Sequence, residues 1–182
     1  MIGTITPMQP LPYDPIAQAR HNWREAGWDE AAEGMAVVTS VFRVNQILLA
    51  RIESALKPFG LSFARFEMLR LLGFSRSGQL PMSRARELLQ VHPASVTNTV
   101  DRLEADKLVR RSRNPRDGRS FLVEITPAGQ AVLTEATDAL NEQVFAPIDF
   151  GPEDLATLGR LLAGFRRRHG DFWDPRPTPE PL

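Results

Sequence analysis

The chain has 182 residues, and its 22 basic and 22 acidic side chains give a formal net charge of zero. Hydrophobic residues make up 42% and charged residues 24%, a composition typical of one globular domain with room for added helices. The chain has no cysteine, which excludes disulfides, thiolate metal sites and cysteine-based redox sensing. Without a leader-like start or an unbroken apolar run of about 18 residues, we expect a cytoplasmic protein.

Residues 1–30 combine a proline-rich arm with a short amphipathic segment. Four prolines lie before Ile16, which predicts an extended or mobile arm. Ile16 and Trp23 share one side of a short predicted helix that Gly27 would end. We interpret Trp23 and Trp28 as apolar anchors that pin this segment to the protein body.

Residues 31–61 contain the longest helical period, and apolar side chains occupy two faces of the predicted helix. One face carries Met35, Val38, Phe42, Leu49, Ile52 and Leu56, and the other carries Val37, Val41, Val44 and Leu48. Because both faces must be covered, we expect a helix of a second subunit beside this one, and we interpret it as a dimerisation helix. Pro58 ends the helix, and Gly60 allows the turn that follows.

For residues 62–126, the sequence predicts a unit that begins with a helix, a short strand and a second helix. Ser62 is expected to cap a helix that reaches Phe74. Met82 is expected to be a strand residue, and Ser83 to cap the second helix.

The next helix, opened by Pro93, has a polar face. Proline suits the first helical position because its missing N–H would be unsatisfied there in any case. Val96, Val100 and Leu103 repeat at helical spacing up to Ala105. The remaining face carries Ser95, Thr97, Asn98 and Arg102. Short donors and acceptors with one long cation are the side chains that reach base edges and phosphates in a major groove.

A basic hairpin follows this helix. Leu108–Arg113 predicts a strand, Asn114–Gly118 a turn and Ser120–Ile125 a returning strand. Between Arg102 and Arg119 there are seven cations and three anions, a net of +4 in a neutral chain. Such local positive charge indicates phosphate binding. The alternative interpretation is an ordinary solvated basic surface.

Residues 127–170 predict two further helices, the first ending near Phe145 and the second opened by Pro152. Each has an apolar face, so we expect both to join the first long helix in a two-fold homodimer interface. We interpret the cations at 166–169 as capping of the last helix. Residues 171–182 contain four prolines and predict a flexible tail.

The run SVTNTVDRLEADKLVRRSRNPRDGRSFLVEITPAG resembles the winged helix-turn-helix core of the MarR family of bacterial transcription regulators. The resemblance extends from about Glu33 to His169 and includes LSFARFEMLRLL and MSRARELLQV. It implies a mainly α fold with a small β-wing (α+β), in which a winged helix-turn-helix domain is flanked by N- and C-terminal dimerisation helices. Two departures are His92, where the family usually has serine, and Lys107, where it usually has glycine.

The resemblance implies a regulator, usually a repressor, that binds double-stranded operator DNA of pseudo-palindromic sequence as a homodimer. The candidate DNA contacts are Arg84, Arg86, Ser95, Thr97, Asn98, Arg102, Arg113, Arg116, Asp117 and Arg119. Arg119 at the wing tip is expected to enter the minor groove, held by Asp117. Arg113 and Arg116 would add phosphate contacts.

The resemblance also implies that a small, often anionic or phenolic, effector releases the DNA by binding between the dimer helices and the wing domain. The candidate lining residues are Trp23, Arg43, Phe63, Phe66 and Glu67, each of which also has an ordinary core or surface interpretation. Trp23 matches a tryptophan in the extra helix of the urate-responsive subgroup, which makes urate one candidate effector.

Two other classes of function compete with regulation. An enzyme would need a catalytic pattern, but the sequence has no HExxH, GxSxG, P-loop or paired-cysteine motif, and its three histidines are scattered. We therefore expect no enzymatic activity, cofactor or metal site. A winged-helix module for DNA packaging or protein contacts would bind DNA with little sequence preference and strong salt dependence.

Overall fold

The computed structural model describes residues 11–89, 93–115 and 117–173, without the side chains of 93–94 and 117–120. The elements are α1 (Pro15–Glu25), α2 (Asp29–Leu56), α3 (Phe63–Phe74), β1 (Gln79–Pro81), α4 (Met82–Leu89), α5 (Pro93–Ala105), β2 (Val109–Asn114), β3 (Asp117–Ile125), α6 (Pro127–Leu140) and α7 (Pro152–Arg168). The predicted class, mainly helical with one small sheet, is confirmed. The chain divides into two compact units, Met1–Ala50 and Arg51–Leu182.

In the N-terminal unit, the predicted short helix is confirmed as α1. The side chain of Asp14 accepts a hydrogen bond from the Ile16 N–H at 2.9 Å and so caps the helix. The rings of Trp23 and Trp28 meet edge to face, with centroids 5.1 Å apart. Glu33 of α2 forms ion pairs with both Arg20 and Arg24 of α1. The predicted arm lies mostly in residues 1–10, outside the described residues.

Helix α2 carries more apolar surface than one chain covers. Val37, Val38, Val41 and Phe42 are each at least half exposed, Phe42 at 67%. By length and composition alone, the stretch Asp29–Phe59 is also long and apolar enough to cross a membrane, with a mean hydropathy of 1.3. Thr39, Arg43 and Asn45 interrupt the stretch, so it contains no unbroken apolar run of about 18 residues.

The C-terminal unit is built on a three-stranded antiparallel sheet in the order β1-β3-β2. Val123, on the central strand β3, pairs with Leu80 of β1 and Arg111 of β2 and is fully buried. Helices α3, α5 and α6 supply most of the remaining core, including Met68, Leu69, Leu72, Val96, Val100, Leu103, Leu133 and Leu140. The predicted apolar face of α5 is thereby confirmed.

The entry to α4 differs from the prediction. Met82 begins the helix instead of lying in a strand, and Ser83 is an exposed residue inside the helix rather than its cap. The preceding strand β1 ends at Pro81, and proline cannot donate to a ladder, so the chain passes directly from the sheet edge into the helix.

The end of α5 uses a left-handed cap despite the lack of glycine. Lys107 has φ 61°. Its N–H donates to the carbonyl of Glu104 at 2.9 Å, and the Leu108 N–H donates to the carbonyl of Leu103 at 2.9 Å. This pair of bonds, with Leu103 and Leu108 both buried, is a Schellman motif in which lysine occupies the glycine position.

Candidate nucleic-acid interface and ligand pocket

The outer face of α5 presents three of the predicted contact residues to solvent. Ser95, Asn98 and Arg102 are exposed and follow one another at spacings of three and four residues, so they share one side of the helix. Val96 and Val100 on the inner side are fully buried. The helix therefore offers a rigid polar edge anchored by a packed apolar back.

Thr97 and Arg86 join the two helices of the predicted helix-turn-helix. The Arg86 guanidinium of α4 donates to the Thr97 hydroxyl at 3.3 Å, and Thr97 is half-buried. Arg84 pairs with Glu87 one helical turn along α4, at 3.1 Å. These predicted DNA residues are thus already engaged within the protein.

Arg110 is not a free cation. Its guanidinium donates to both carboxylate oxygens of Glu124 on β3, at 2.9 and 2.6 Å. The hydrogen bond to Arg110 lowers the pKa of Glu124, and the same contact raises the pKa of Arg110. Glu124 lies outside Arg102–Arg119, the span whose net charge is +4. The net positive charge of the whole hairpin is therefore smaller than that count indicates.

Arg111 is engaged even more extensively, although the sequence placed it only among the seven cations of the basic hairpin. Its side chain reaches Glu104 at 3.0 Å, Asp101 at 2.5 Å and the Thr97 carbonyl at 3.5 Å, all on α5. Its backbone N–H also donates to Glu104 at 3.0 Å. The feature of the sequence that could have predicted these contacts is the acidic pair Asp101 and Glu104, three residues apart on the helix that precedes the strand.

Two predicted cations remain available. Arg102 and Arg113 are exposed and form no ion pair within the described part of the chain. Arg116 lies outside the described residues, and Asp117 and Arg119 are described only as backbone of β3. The predicted minor-groove contact at the wing tip therefore stays a prediction.

Three of the predicted ligand residues converge on one pocket of about 300 Å³. Its walls are Phe63, Phe66, Glu67, Arg70, Leu71, Phe74, Leu88, Leu89 and Phe145. Burial raises the pKa of the Glu67 carboxyl. Trp23 and Arg43 belong to the N-terminal unit, where Trp23 packs on Trp28 and Arg43 donates to Gln46 at 3.3 Å.

Arg70 gives this pocket a cationic wall that the sequence did not single out. Its guanidinium stacks over the Phe74 ring at 4.3 Å and donates to the Thr137 hydroxyl at 3.3 Å. Its buried Nε has no hydrogen-bond partner among the described residues. A larger depression of about 440 Å³ lies beside Arg110, Glu124 and the start of α6, but it contains none of the predicted ligand residues.

A short helix, a second helix with an exposed polar face and a β-hairpin wing together define a winged helix-turn-helix. A sequence model of the MarR family matches residues 59–120. The crystal structure of Sco5413, a MarR family transcriptional regulator from Streptomyces coelicolor, is 44% identical with a TM-score of 0.70. That match covers 77% of this chain and 97% of Sco5413. The chain belongs to the MarR family of transcriptional regulators.

Two other regulators are similar to this chain in sequence, and a further solved structure has the same fold. The transcriptional repressor Rv2887 of Mycobacterium tuberculosis is 29% identical over 70% of this chain and 83% of its own length. The structure of Bordetella bronchiseptica BpsR, whose DNA binding is regulated by 6-hydroxynicotinic acid, matches at 24% identity and a TM-score of 0.64, over 71% of this chain and 91% of BpsR. The match to Bacillus subtilis YhbI, at 29% identity over 47% of this chain, spans 54% of that regulator. Family membership makes the chain a DNA-binding transcriptional regulator, and the matched proteins are regulators rather than enzymes.

Proposed function

We propose that this regulator is a cytoplasmic homodimeric repressor without enzymatic activity that binds a pseudo-palindromic operator and releases it when a small molecule binds. The exposed polar edge of α5, with Ser95, Asn98 and Arg102 on one side of the helix, is the observation that carries the proposal. The repressor Rv2887, with 29% identity, supports the direction of regulation.

The homodimer follows from unpartnered apolar surface on α2 and α7. On α7, Leu155, Leu158, Leu161, Leu162 and Phe165 are 39 to 58% exposed. A contiguous apolar patch of this kind that is exposed to water marks an interaction surface. A second copy of the chain, related by a two-fold axis, would cover the equivalent faces of both subunits. Its recognition helix would then lie about 34 Å from the first, which is one turn of DNA.

On DNA, the proposed roles divide by chemistry. Ser95 and Asn98 would meet base edges in the major groove, where amide and hydroxyl groups read donor and acceptor patterns. Arg102 and Arg113, both exposed, would contact phosphates. From the family resemblance, Arg119 would enter the minor groove beside Asp117. Arg116, together with Arg84 and Arg86 at the start of α4, would contact DNA phosphates, and Thr97 would contact a base or a phosphate.

The proposed effector site is the pocket of about 300 Å³ in the C-terminal unit, at the lower end of ligand-pocket sizes. Its aromatic walls suit a flat ring, and the guanidinium of Arg70 suits an anionic group. BpsR, which responds to 6-hydroxynicotinic acid, supports an aromatic anion as the effector class. Trp23 and Arg43 are kept as proposed contacts from the family resemblance. Binding releases DNA only if the effector favours a different arrangement of the two reading helices.

The decisive experiment is a fluorescence anisotropy titration of the protein onto the DNA upstream of its own gene, beside a scrambled duplex at the same salt. We expect at least a hundredfold preference for the native duplex, about 2.7 kcal/mol. Asn98→Ala should reduce that preference, and Asn22→Ala, an exposed asparagine of α1, should not. Equal binding of both duplexes would favour DNA packaging, and no binding at low salt would refute the proposal.

A further inference from the structure

We propose that Arg111 is a positioning residue for DNA recognition: it holds α5 in a fixed orientation to the wing and does not itself contact DNA. The proposal rests on the proposed DNA-binding function. The charge count from the sequence places Arg111 among the cations that would bind phosphate, whereas the proposal gives it a role inside the protein. Arg111 stands on β2 between Arg110 and Ser112, at the point where the strand passes α5.

The contacts of Arg111 run along the length of the recognition helix. The Thr97 carbonyl lies in its first half, Asp101 one turn later, and Glu104 in its last turn. One planar guanidinium therefore bridges nearly two turns of α5. Glu104 also accepts the Arg111 backbone N–H, so the carboxylate is bound to both the side chain and the main chain of β2.

This arrangement leaves little of Arg111 for a phosphate. Its side chain is 25% exposed, against 68% for its neighbour Arg110. Both terminal nitrogens already donate to acceptors on α5. Moving the guanidinium onto DNA would strip two carboxylates of their partner beside the polyanion, which is electrostatically unfavourable.

Fixed orientation matters because α5 and the wing read different grooves of the same duplex in the proposed complex. The exposed edge of α5 has to reach base edges while the wing lies on the adjacent backbone. A small rotation of the helix on the sheet would move the short side chains of Ser95 and Asn98 off their bases. The longer side chain of Arg102 can still reach a phosphate, and the phosphate contacts of the wing are not affected. Loss of the clamp should therefore reduce specific binding and leave non-specific binding nearly unchanged.

The test compares two variants with a matched control. Arg111→Lys keeps the charge but cannot bridge three acceptors, because an ammonium is a point donor rather than a planar fork. The double variant Glu104→Gln/Arg111→Gln removes the clamp at constant net charge. Arg110→Gln is the control, since it removes a neighbouring cation of β2 that is paired with Glu124 and not with α5. Each protein is titrated onto operator and scrambled duplexes at several salt concentrations.

We expect both clamp variants to lose at least tenfold in operator affinity, to bind scrambled DNA within about threefold of wild type, and to keep the wild-type salt slope. Arg110→Gln should change both duplexes by the same factor. A salt slope smaller by about 0.9 in the double variant, or operator binding by Arg111→Lys within twofold of wild type, would identify Arg111 as a phosphate contact and overturn the proposal.

Hydrogen exchange distinguishes a local effect from unfolding. In the clamp variants we expect amides of α5 to exchange faster while those of α3 and α6 keep their protection. Equal loss of protection in all three helices would make Arg111 a general stabilising residue and overturn the proposal. Failure of the wild-type protein to prefer the operator would refute the proposed function itself, and would be visible before any variant is measured.

Discussion

The carbonyl oxygen of Leu108 lies 2.1 Å from the point that a Cβ on Gly129 would occupy. The same carbonyl accepts hydrogen bonds from the N–H of Thr126 at 3.0 Å and from its hydroxyl at 3.1 Å. Thr126 also caps α6 by accepting the Gly129 N–H at 3.0 Å. The start of α6 is therefore seated directly on the strand that leads into the wing, and only glycine permits this approach.

Gly129→Ala should destabilise the protein. The neighbour of the added methyl group is backbone, which cannot move aside cheaply, so we expect a loss of about 1–3 kcal/mol in the free energy of unfolding. The control is Gly34→Ala in α2, where no described atom lies within 4 Å of the new Cβ. There we expect a gain of about 0.5–1 kcal/mol from helix propensity. Chemical denaturation measures both, and equal effects would refute the close approach.

Lys107→Gly should stabilise the cap of α5. Lysine at φ 61° carries a left-handed penalty of about 1 kcal/mol, which glycine removes. Part of this gain is offset because glycine adds freedom to the unfolded chain. Lys107→Val is the contrasting change, because a β-branched residue tolerates positive φ poorly. We expect it to lower the free energy of unfolding by more than about 1 kcal/mol. Thermal unfolding of both variants tests this order, and a more stable valine variant would contradict it.

Phe42→Glu should weaken the proposed dimer. Phe42 is 67% exposed in the single chain, so a charge there costs the folded protomer little but would be buried in a subunit interface. Sedimentation velocity should show a shift from dimer to monomer. Phe42→Leu keeps the position apolar and should stay dimeric. A dimeric Phe42→Glu protein would place the interface away from this face of α2.

Glu67→Gln should raise stability at neutral pH. Burial raises the folded-state pKa of Glu67 above its unfolded value, so its favourable contribution is present at low pH and is lost as pH rises through the folded pKa. The uncharged glutamine avoids this loss. The melting temperature of the variant should therefore exceed that of wild type at pH 7, and the two should converge at acid pH. A difference independent of pH would refute the assigned cause.

Arg102→Ala should weaken binding to operator and scrambled DNA alike and reduce the salt slope by about 0.9, the value for one phosphate contact. Arg160→Ala, which removes an exposed arginine of α7, should leave the slope unchanged. A loss confined to the operator would instead assign Arg102 to base reading.

Local sequence determined most of the elements of this protein. Pro93 and the spacing of Val96, Val100 and Leu103 predicted α5 with the bounds that the structure has. Ser62 was expected to cap the helix that follows it, and its side chain does so. Such features depend on backbone geometry within a few residues, so they can be read from the chain alone.

Tertiary structure decided which charges are available. Arg110 and Arg111 are adjacent in sequence and look equivalent, yet strand alternation directs one to Glu124 on β3 and the other to α5. Likewise, Phe63, Phe66 and Glu67 share a pocket with Arg70 and Phe145, a grouping that depends on how α3 packs rather than on any local motif. Partners distant in sequence meet only after the helices and the sheet have packed, and the ion pairs formed there determine which arginines remain free for DNA.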